Sequence, residues 1–256
     1  MLEARSLKRS AAIAPLVAPV VAWGLLMGLF AYQDLWKRTL AALFPNQTPL
    51  FERQTLLNLA LEHLAITATA GLFVLLVGLP LAIWVARPSG AAFRPLVENL
   101  VAVGQTFPPV AVLSLALPFV GFGSNGAILA LLLYGLLPVV RNTLEGLAAV
   151  PPDVLEAASG MGYSPLQRLW RVEIPLALPV ILSGIRTSAV LILATATLAP
   201  LIGGGGLGVP IVAGLAVNNQ AFVSEGAIAV ALLAVLLDWT FARLEAVLTP
   251  WRAIRA

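Results

Sequence analysis

Six ionisable side chains stand in or beside long apolar stretches of this sequence: Glu98, Arg141, Glu145, Arg186, Glu225 and Asp238. A charge at membrane depth is costly enough to count as a functional candidate by default. Each of the six falls near an expected span end, however, where snorkelling to the interface suffices, so they read first as structural. A proton-coupled carrier would want a carboxylate near mid-span, and none clearly stands there. The rest of the chemical inventory is short. With no cysteine, thiolate nucleophiles, disulfides and zinc-thiolate sites are excluded. His63 is the single histidine, which rules out a two-histidine metal helix; at the border of a span it reads as a satisfied interfacial residue. The two lysines, Lys8 and Lys37, each precede Arg, so the chain has no Gly-Lys-Ser/Thr phosphate loop. A membrane-embedded hydrolase is disfavoured too, because no base stands beside a nucleophile. Any energy from ATP has to come from a separate subunit.

The elements that would position these groups follow from composition. Apolar residues make up 60% of the chain and charged ones 11%, with a mean hydropathy of +0.96. Soluble chains do not reach such values, so this is a polytopic membrane protein. A net charge of +3 and a pI near 9.8 reflect basic residues flanking membrane spans. Such residues set orientation rather than bind nucleic acid. A DNA-reading helix pair over 153–174 is disfavoured as well, since Arg168 and Arg171 are outnumbered by Asp153, Glu156 and Glu173.

A bilayer's hydrocarbon core takes about 20 apolar residues as helix. Six such stretches are expected, at about 11–31, 64–85, 96–120, 127–147, 176–201 and 226–247. The first follows the basic segment MLEARSLKRS and reads as an uncleaved span, since no small-x-small cleavage site follows it. Residues 32–62 form a polar interval with a surface helix expected from Phe51 onward. The third span is interrupted by Gln105-Thr106-Phe107-Pro108-Pro109. Two adjacent prolines cannot both sit in an unbroken helix. Irregular backbone at membrane depth is tolerated only against protein or a water-filled cavity. These five residues, with Asn142 of the fourth span, therefore either line a translocation path or form a packed kink, and both readings stay open. Arg141 and Glu145 are four apart, a spacing at which opposite charges pair. The glycine run at 203–208 lacks the lysine and the preceding strand of a phosphate loop and reads as a flexible turn. Phe107, Phe119, Phe122 and Tyr134 are scattered, and the sequence alone does not assemble them into an aromatic cage for a quaternary ammonium ion.

Residues 151–179, PPDVLEAASGMGYSPLQRLWRVEIPLALP, are the longest polar interruption in the second half of the chain. They read as two short helices joined by a turn. Pro151-Pro152-Asp153 starts the first and Gly160 and Gly162 end it. Ser164, Pro165 and Gln167 have the spacing of a capping box, which starts the second. Leu166, Leu169 and Trp170 share a face at helical spacing, and Pro175 closes the element. The apolar ridge suits docking in a groove of another protein, and a well-capped re-entry loop without a partner is the bland alternative. With the N-terminus in the cytoplasm, Arg5, Lys8, Arg9, Arg87, Arg94, Arg141, Arg168, Arg171, Arg186, Arg243, Arg252 and Arg255 fall at the inner face or its edge. Lys37, Arg38 and Arg53 then fall outside. That bias puts this loop and both termini in the cytoplasm.

Within the loop, Glu156-Ala157-Ala158, then Gly162, then Val172-Glu173-Ile174-Pro175 resemble the EAA loop of ABC importer permeases. Val172 and Ile174 replace the usual Ile and Leu, both apolar exchanges. From about Leu61 to Leu248 the chain is similar to the permease subunits of osmoprotectant importers for glycine betaine, choline and carnitine, notably at GQTFPPVAVL, GMGYSPLQRLWRVEIPLALPVILSGIRT and LIGGGGLGVPI. The resemblance implies an all-α polytopic bundle of about six transmembrane helices, of the type I ABC importer kind. It implies one domain, with 63–250 as permease core and 1–62 as an added span and extracytoplasmic segment, and it places the glycine run on the side of the binding protein. It also implies a pair of ABC ATPase subunits that hold ATP and Mg, a second permease copy or paralogue, an extracytoplasmic binding protein, and a bacterial inner membrane. By that resemblance Glu156 offers charge and a hydrogen bond to the ATPase, Ala157 and Ala158 allow close approach, and Gly162 permits the turn. Val172, Ile174 and Pro175 complete the coupling element. The other reading is a self-contained carrier or channel for small polar solutes.

If the turn must be unhindered, a charged side chain at Gly162 uncouples transport without harming insertion. Gly162→Asp protein present at normal abundance is expected to show no uptake in whole cells, and normal uptake would refute the role.

Overall fold

The computed structural model describes residues 2–251, with side chains from Leu16 onward. The side chains of Arg5, Lys8 and Arg9, and the residues Arg252 and Arg255, lie outside the described residues. The secondary structure described is helical throughout: α1 (Leu2–Ala31), α2 (Gln33–Leu43), α3 (Leu56–Val85), α4 (Arg94–Thr106), α5 (Pro109–Val120), α6 (Ser124–Ala148), α7 (Pro152–Gly160), α8 (Pro165–Arg168), α9 (Ile174–Thr195), α10 (Gly208–Ala216) and α11 (Gln220–Leu248). Four helices are long and apolar enough to cross a membrane: Leu56–Val85, Ser124–Ala148, the continuous Pro165–Ile202, and Gln220–Leu248. Two bent pairs, Leu16–Ala31 with Gln33–Leu43 and Ala91–Thr106 with Pro109–Val120, raise that to six. The expected all-α membrane bundle is what forms.

No surface helix starts at Phe51. Its ring is buried against Phe222, and its N–H donates to Glu225 Oε2 at 2.9 Å. Instead α3 starts at Leu56, capped by Thr55, whose hydroxyl accepts from the Asn58 N–H at 3.2 Å. It begins well before the expected span because Leu56, Leu59, Ala60 and His63 repeat at helical spacing and are all buried. The preceding loop is strapped to the start of α11. Gln47 Oε1 accepts from the Ala221 N–H, and Asn219 donates to the Thr48 carbonyl while its own oxygen caps α11. Glu225, expected to snorkel at an interface, is thus fully buried. His63 is also fully buried; its Nε2 lies 2.9 Å from the Leu193 carbonyl oxygen.

Helix α6 runs through the middle of the bundle between α3 and α9. A Cβ at Gly135 would lie 2.7 Å from methyl groups of both Val74 on α3 and Ile192 on α9, and Ser188 on α9 donates to the Gly135 carbonyl at 2.8 Å. In a bilayer, such close backbone approach takes the place of the hydrophobic drive that packs helices in water. Gly71, by contrast, has nothing within 4 Å of its Cβ position. Gly135→Val is therefore expected to destabilise the detergent-solubilised protein by about 1–3 kcal/mol through overpacking. Gly71→Val should leave its thermal midpoint where it was, and equal midpoints for the two variants would refute this packing.

Candidate functional site

The loop 151–173 folds as the start and stop signals direct. Pro151 is the extended N-cap of α7, with Pro152 at the first helical position and Asp153 in the first turn. The far end of α7 is a Schellman turn: the Tyr163 N–H donates to the Ala158 carbonyl and the Gly162 N–H to that of Ser159. Gly162 sits at φ 82°, in the left-handed region where a side chain is strained. Ser164 and Gln167 form the capping box, at 2.9 and 3.3 Å. Pro175 does not close the element. The helix runs on from α8 into α9 through a π turn at Leu169–Glu173, in which the Ile174 N–H reaches back to the Leu169 carbonyl. A widened turn adds one residue where the proline lacks a donor, so the helix continues without a break.

The expected ridge is divided by packing against the bundle. Leu169 turns into the core with Leu147, Ala177 and Ile181, while Leu166 and Trp170 stay exposed beside Met161. The exposed apolar face of the loop is thus Met161, Leu166 and Trp170. Met161 carried no signal, because its exposure follows from the turn that ends α7. Glu156 and Ala157 face outward, Ala158 is the buried residue of α7, and Val172, Ile174 and Pro175 are half-buried in the continuous helix. Glu173 anchors the loop to the bundle. Buried to 5% side-chain exposure, it accepts from Arg87 Nη2 at 2.5 Å and from Arg168 Nε at 3.0 Å. Arg168 reaches on to the Ser159 hydroxyl of α7 at 3.1 Å. One carboxylate therefore ties the end of α3, both short helices and the start of α9.

The interrupted span is broken by 103° between α4 and α5. Phe107 and Pro108 are extended and Pro109 opens α5. Pro138 on α6 removes the amide that would have bonded the Tyr134 carbonyl, and Gln105 Nε2 donates to that carbonyl at 2.6 Å. The Tyr134 hydroxyl in turn donates to the Phe107 carbonyl. Thr106 bonds the Val103 carbonyl, and Asn142 bonds that of Pro138 at 2.9 Å, where α6 crosses α9 at Gly184. Gln105 and Phe107 thus meet at Tyr134, and Asn142 stands two turns away along α6. Phe119 and Phe122 point outward, so the four aromatic residues form no cage.

The glycine run is not a free turn. The Gly206 N–H donates to Glu62 Oε2 at 3.2 Å, and a Cβ at Gly205 would lie 2.3 Å from that oxygen. Beside it opens a cavity of about 610 Å³ lined by Gln54, Glu62, Thr69, Ser124 and Gly203 to Gly205. Arg141 and Glu145 approach to 3.9 Å on an exposed face, and Arg94 and Glu98 to 2.9 Å. Arg186 and Asp238 are not at span ends. Arg186 lies twelve residues past Ile174, and Asp238 ten before Leu248. At 1.5 Å per residue that is about 18 Å beyond the π turn and about 15 Å before the end of α11, comparable with half of a hydrocarbon layer about 30 Å thick. They pair with each other, which neither stretch of sequence signals alone. No cluster of metal-binding side chains occurs among the described residues.

The chain is similar to the osmoprotectant import permease protein OsmY of Salmonella typhimurium, 44% identical over 195 residues, 76% of this chain and 83% of that protein. It is similar also to the choline transport system permease protein OpuBB of Bacillus subtilis, 39% identical over 189 residues, 74% of this chain and 86% of that one. Among solved structures, the fold matches a chain of the MetNI methionine ABC transporter in an inward-facing conformation, with a TM-score of 0.67 at 23% identity over 74% of this chain and 94% of that one. An amino acid ABC transporter matches with a TM-score of 0.60 at 22% identity, over 75% of this chain and 92% of that one. The family model for the binding-protein-dependent transport system inner membrane component matches residues 78–250. The chain belongs to that family, and is a multi-pass transport permease subunit rather than an enzyme.

Proposed function

We propose that this chain is the membrane subunit of an ATP-driven importer for small osmoprotectants such as glycine betaine or choline. A pair of ABC ATPase subunits holding ATP and Mg works the loop 151–173, a second permease copy or paralogue completes the path, and an extracytoplasmic binding protein delivers the solute. The chain acts as one domain, with residues 63–250 as its core. It sits in a bacterial inner membrane with the loop and both termini in the cytoplasm. Glu156, Ala157, Ala158, Gly162, Val172, Ile174 and Pro175 form the coupling element, and Gln105, Thr106, Phe107, Pro108, Pro109 and Asn142 border the path.

The observation that carries this reading is a braced loop that exposes three large apolar side chains and is pinned from within. Met161, Leu166 and Trp170 are each at least 60% exposed, while Glu173 beneath them is held by two arginines. A loop that only re-entered the membrane would gain nothing from exposing a tryptophan on a braced surface. In the coupling role, Trp170 is the aromatic anchor of the ATPase contact.

Trp170→Ala is accordingly expected to cost about 2 kcal/mol of that contact, a roughly 30-fold loss of affinity, read by titrating ATPase onto the detergent-solubilised permease. Unchanged affinity, or uptake by the purified chain driven by a gradient alone, would refute it. The chain has no cysteine, so sidedness can be read without background. In intact cells a membrane-impermeant maleimide should label V217C, at the far end of the bundle, and should reach M161C only after permeabilisation. The reverse pattern would place the loop outside and end the importer reading.

A further inference from the structure

The Arg186 guanidinium and the Asp238 carboxylate meet in a two-pronged contact, Nε to Oδ1 and Nη2 to Oδ2, both at 2.5 Å. The pair joins α9 to α11 near mid-membrane, yet it is not sealed: its side chains are 34% and 44% exposed. The Glu173 carboxylate, whose ion pairs brace the loop, is by contrast 5% exposed. Ser183, three residues before Arg186, is exposed on the same face of α9, and the exposed Thr187 beside it donates back to the Ser183 carbonyl at 2.9 Å. A face carrying an open ion pair and a serine hydroxyl is unfavourable against acyl chains, so at this depth it fronts water or another protein.

We propose that this pair is a solute-binding site in the translocation path, made for a small zwitterion with a carboxylate at one end and a quaternary or alkyl ammonium at the other. This rests on the osmoprotectant reading above. The solute's carboxylate takes the place of Asp238 on the guanidinium fork, with the same two parallel hydrogen bonds. Its ammonium takes the place of Arg186 beside Asp238. One ion pair exchanges for two, and the charge stays balanced throughout, so no uncompensated ion is left at membrane depth while the solute passes. A cation without a carboxylate meets only half of the site and leaves the guanidinium unpaired. Arg rather than Lys fits this role, because its planar fork matches a carboxylate in two contacts.

The test uses proteoliposomes of the full complex, permease with its ATPase and binding protein, and follows uptake of glycine betaine, a zwitterion, against choline, a cation lacking the carboxylate. Losing a charged hydrogen-bond partner costs roughly 10- to 100-fold in affinity. Arg186→Gln should therefore lower betaine uptake at least about tenfold more than choline uptake. Asp238→Asn, which removes the ammonium's partner, should lower both. If either single change prevents assembly by stranding a charge, the double variant R186Q/D238N, which strands none, carries the test. It should co-elute with the ATPase on size exclusion and take up betaine at no more than about a tenth of the wild-type rate. Equal losses for the two solutes in R186Q, or wild-type betaine uptake by the double variant, overturn the site alone. A wild-type complex that carries neither solute with ATP overturns the osmoprotectant reading along with it.

Discussion

A bilayer offers no water to a backbone group that loses its partner, and this chain sets prolines inside several of its spans. Each proline deletes a donor, so the carbonyl one turn back has to find another. At Pro138 the substitute is Gln105, reaching from the neighbouring broken helix, and Tyr134 returns the tie through its hydroxyl to Phe107. At Pro175 the substitute is geometric: a π turn absorbs an extra residue. The two repairs fall where the bundle departs from straight helices, at the 103° bend and at the base of the loop. The same hydrogen bonds that satisfy the backbone therefore also fix the shape of the parts that transport would use.

Across the π turn Glu173, four residues after the buried Leu169, points inward between Arg87 and Arg168, and Trp170 faces out. Trp170 thus stands on a helix that is tied by Glu173 to the end of α3. Breaking one partner of a buried ionic contact is far more disruptive than its net contribution to stability suggests. The clamp thus serves stiffness more than stability.

The opposite end of the bundle is secured differently. There, Gln47, Thr48 and Phe51 bond to the first turns of α11, and Glu62 fills the glycine run. These contacts hold the segment before α3 against the core without a covalent link. Beside them opens the cavity of about 610 Å³ on the end away from the loop.

The sequence by itself determined the membrane class, the spans to within a turn or two at most of their ends, the break at Pro108 and Pro109, and the caps of the loop. All of these rest on local signals: apolar length, missing amide donors, and hydroxyl-to-amide spacing over three or four residues. Only the tertiary structure decided which charges meet. Arg87 and Glu173 are 86 residues apart, and Arg186 and Asp238 are 52 apart, so no periodicity could pair them. Burial of Glu225 and Phe51, the division of Leu169 from Trp170, and the seat of Glu62 in the glycine run likewise depend on how the helices cross and pack. A linear pattern records which residues a helix contains, whereas the partner of a buried polar group is chosen by whichever distant backbone or charge the packed helices bring within about 3 Å.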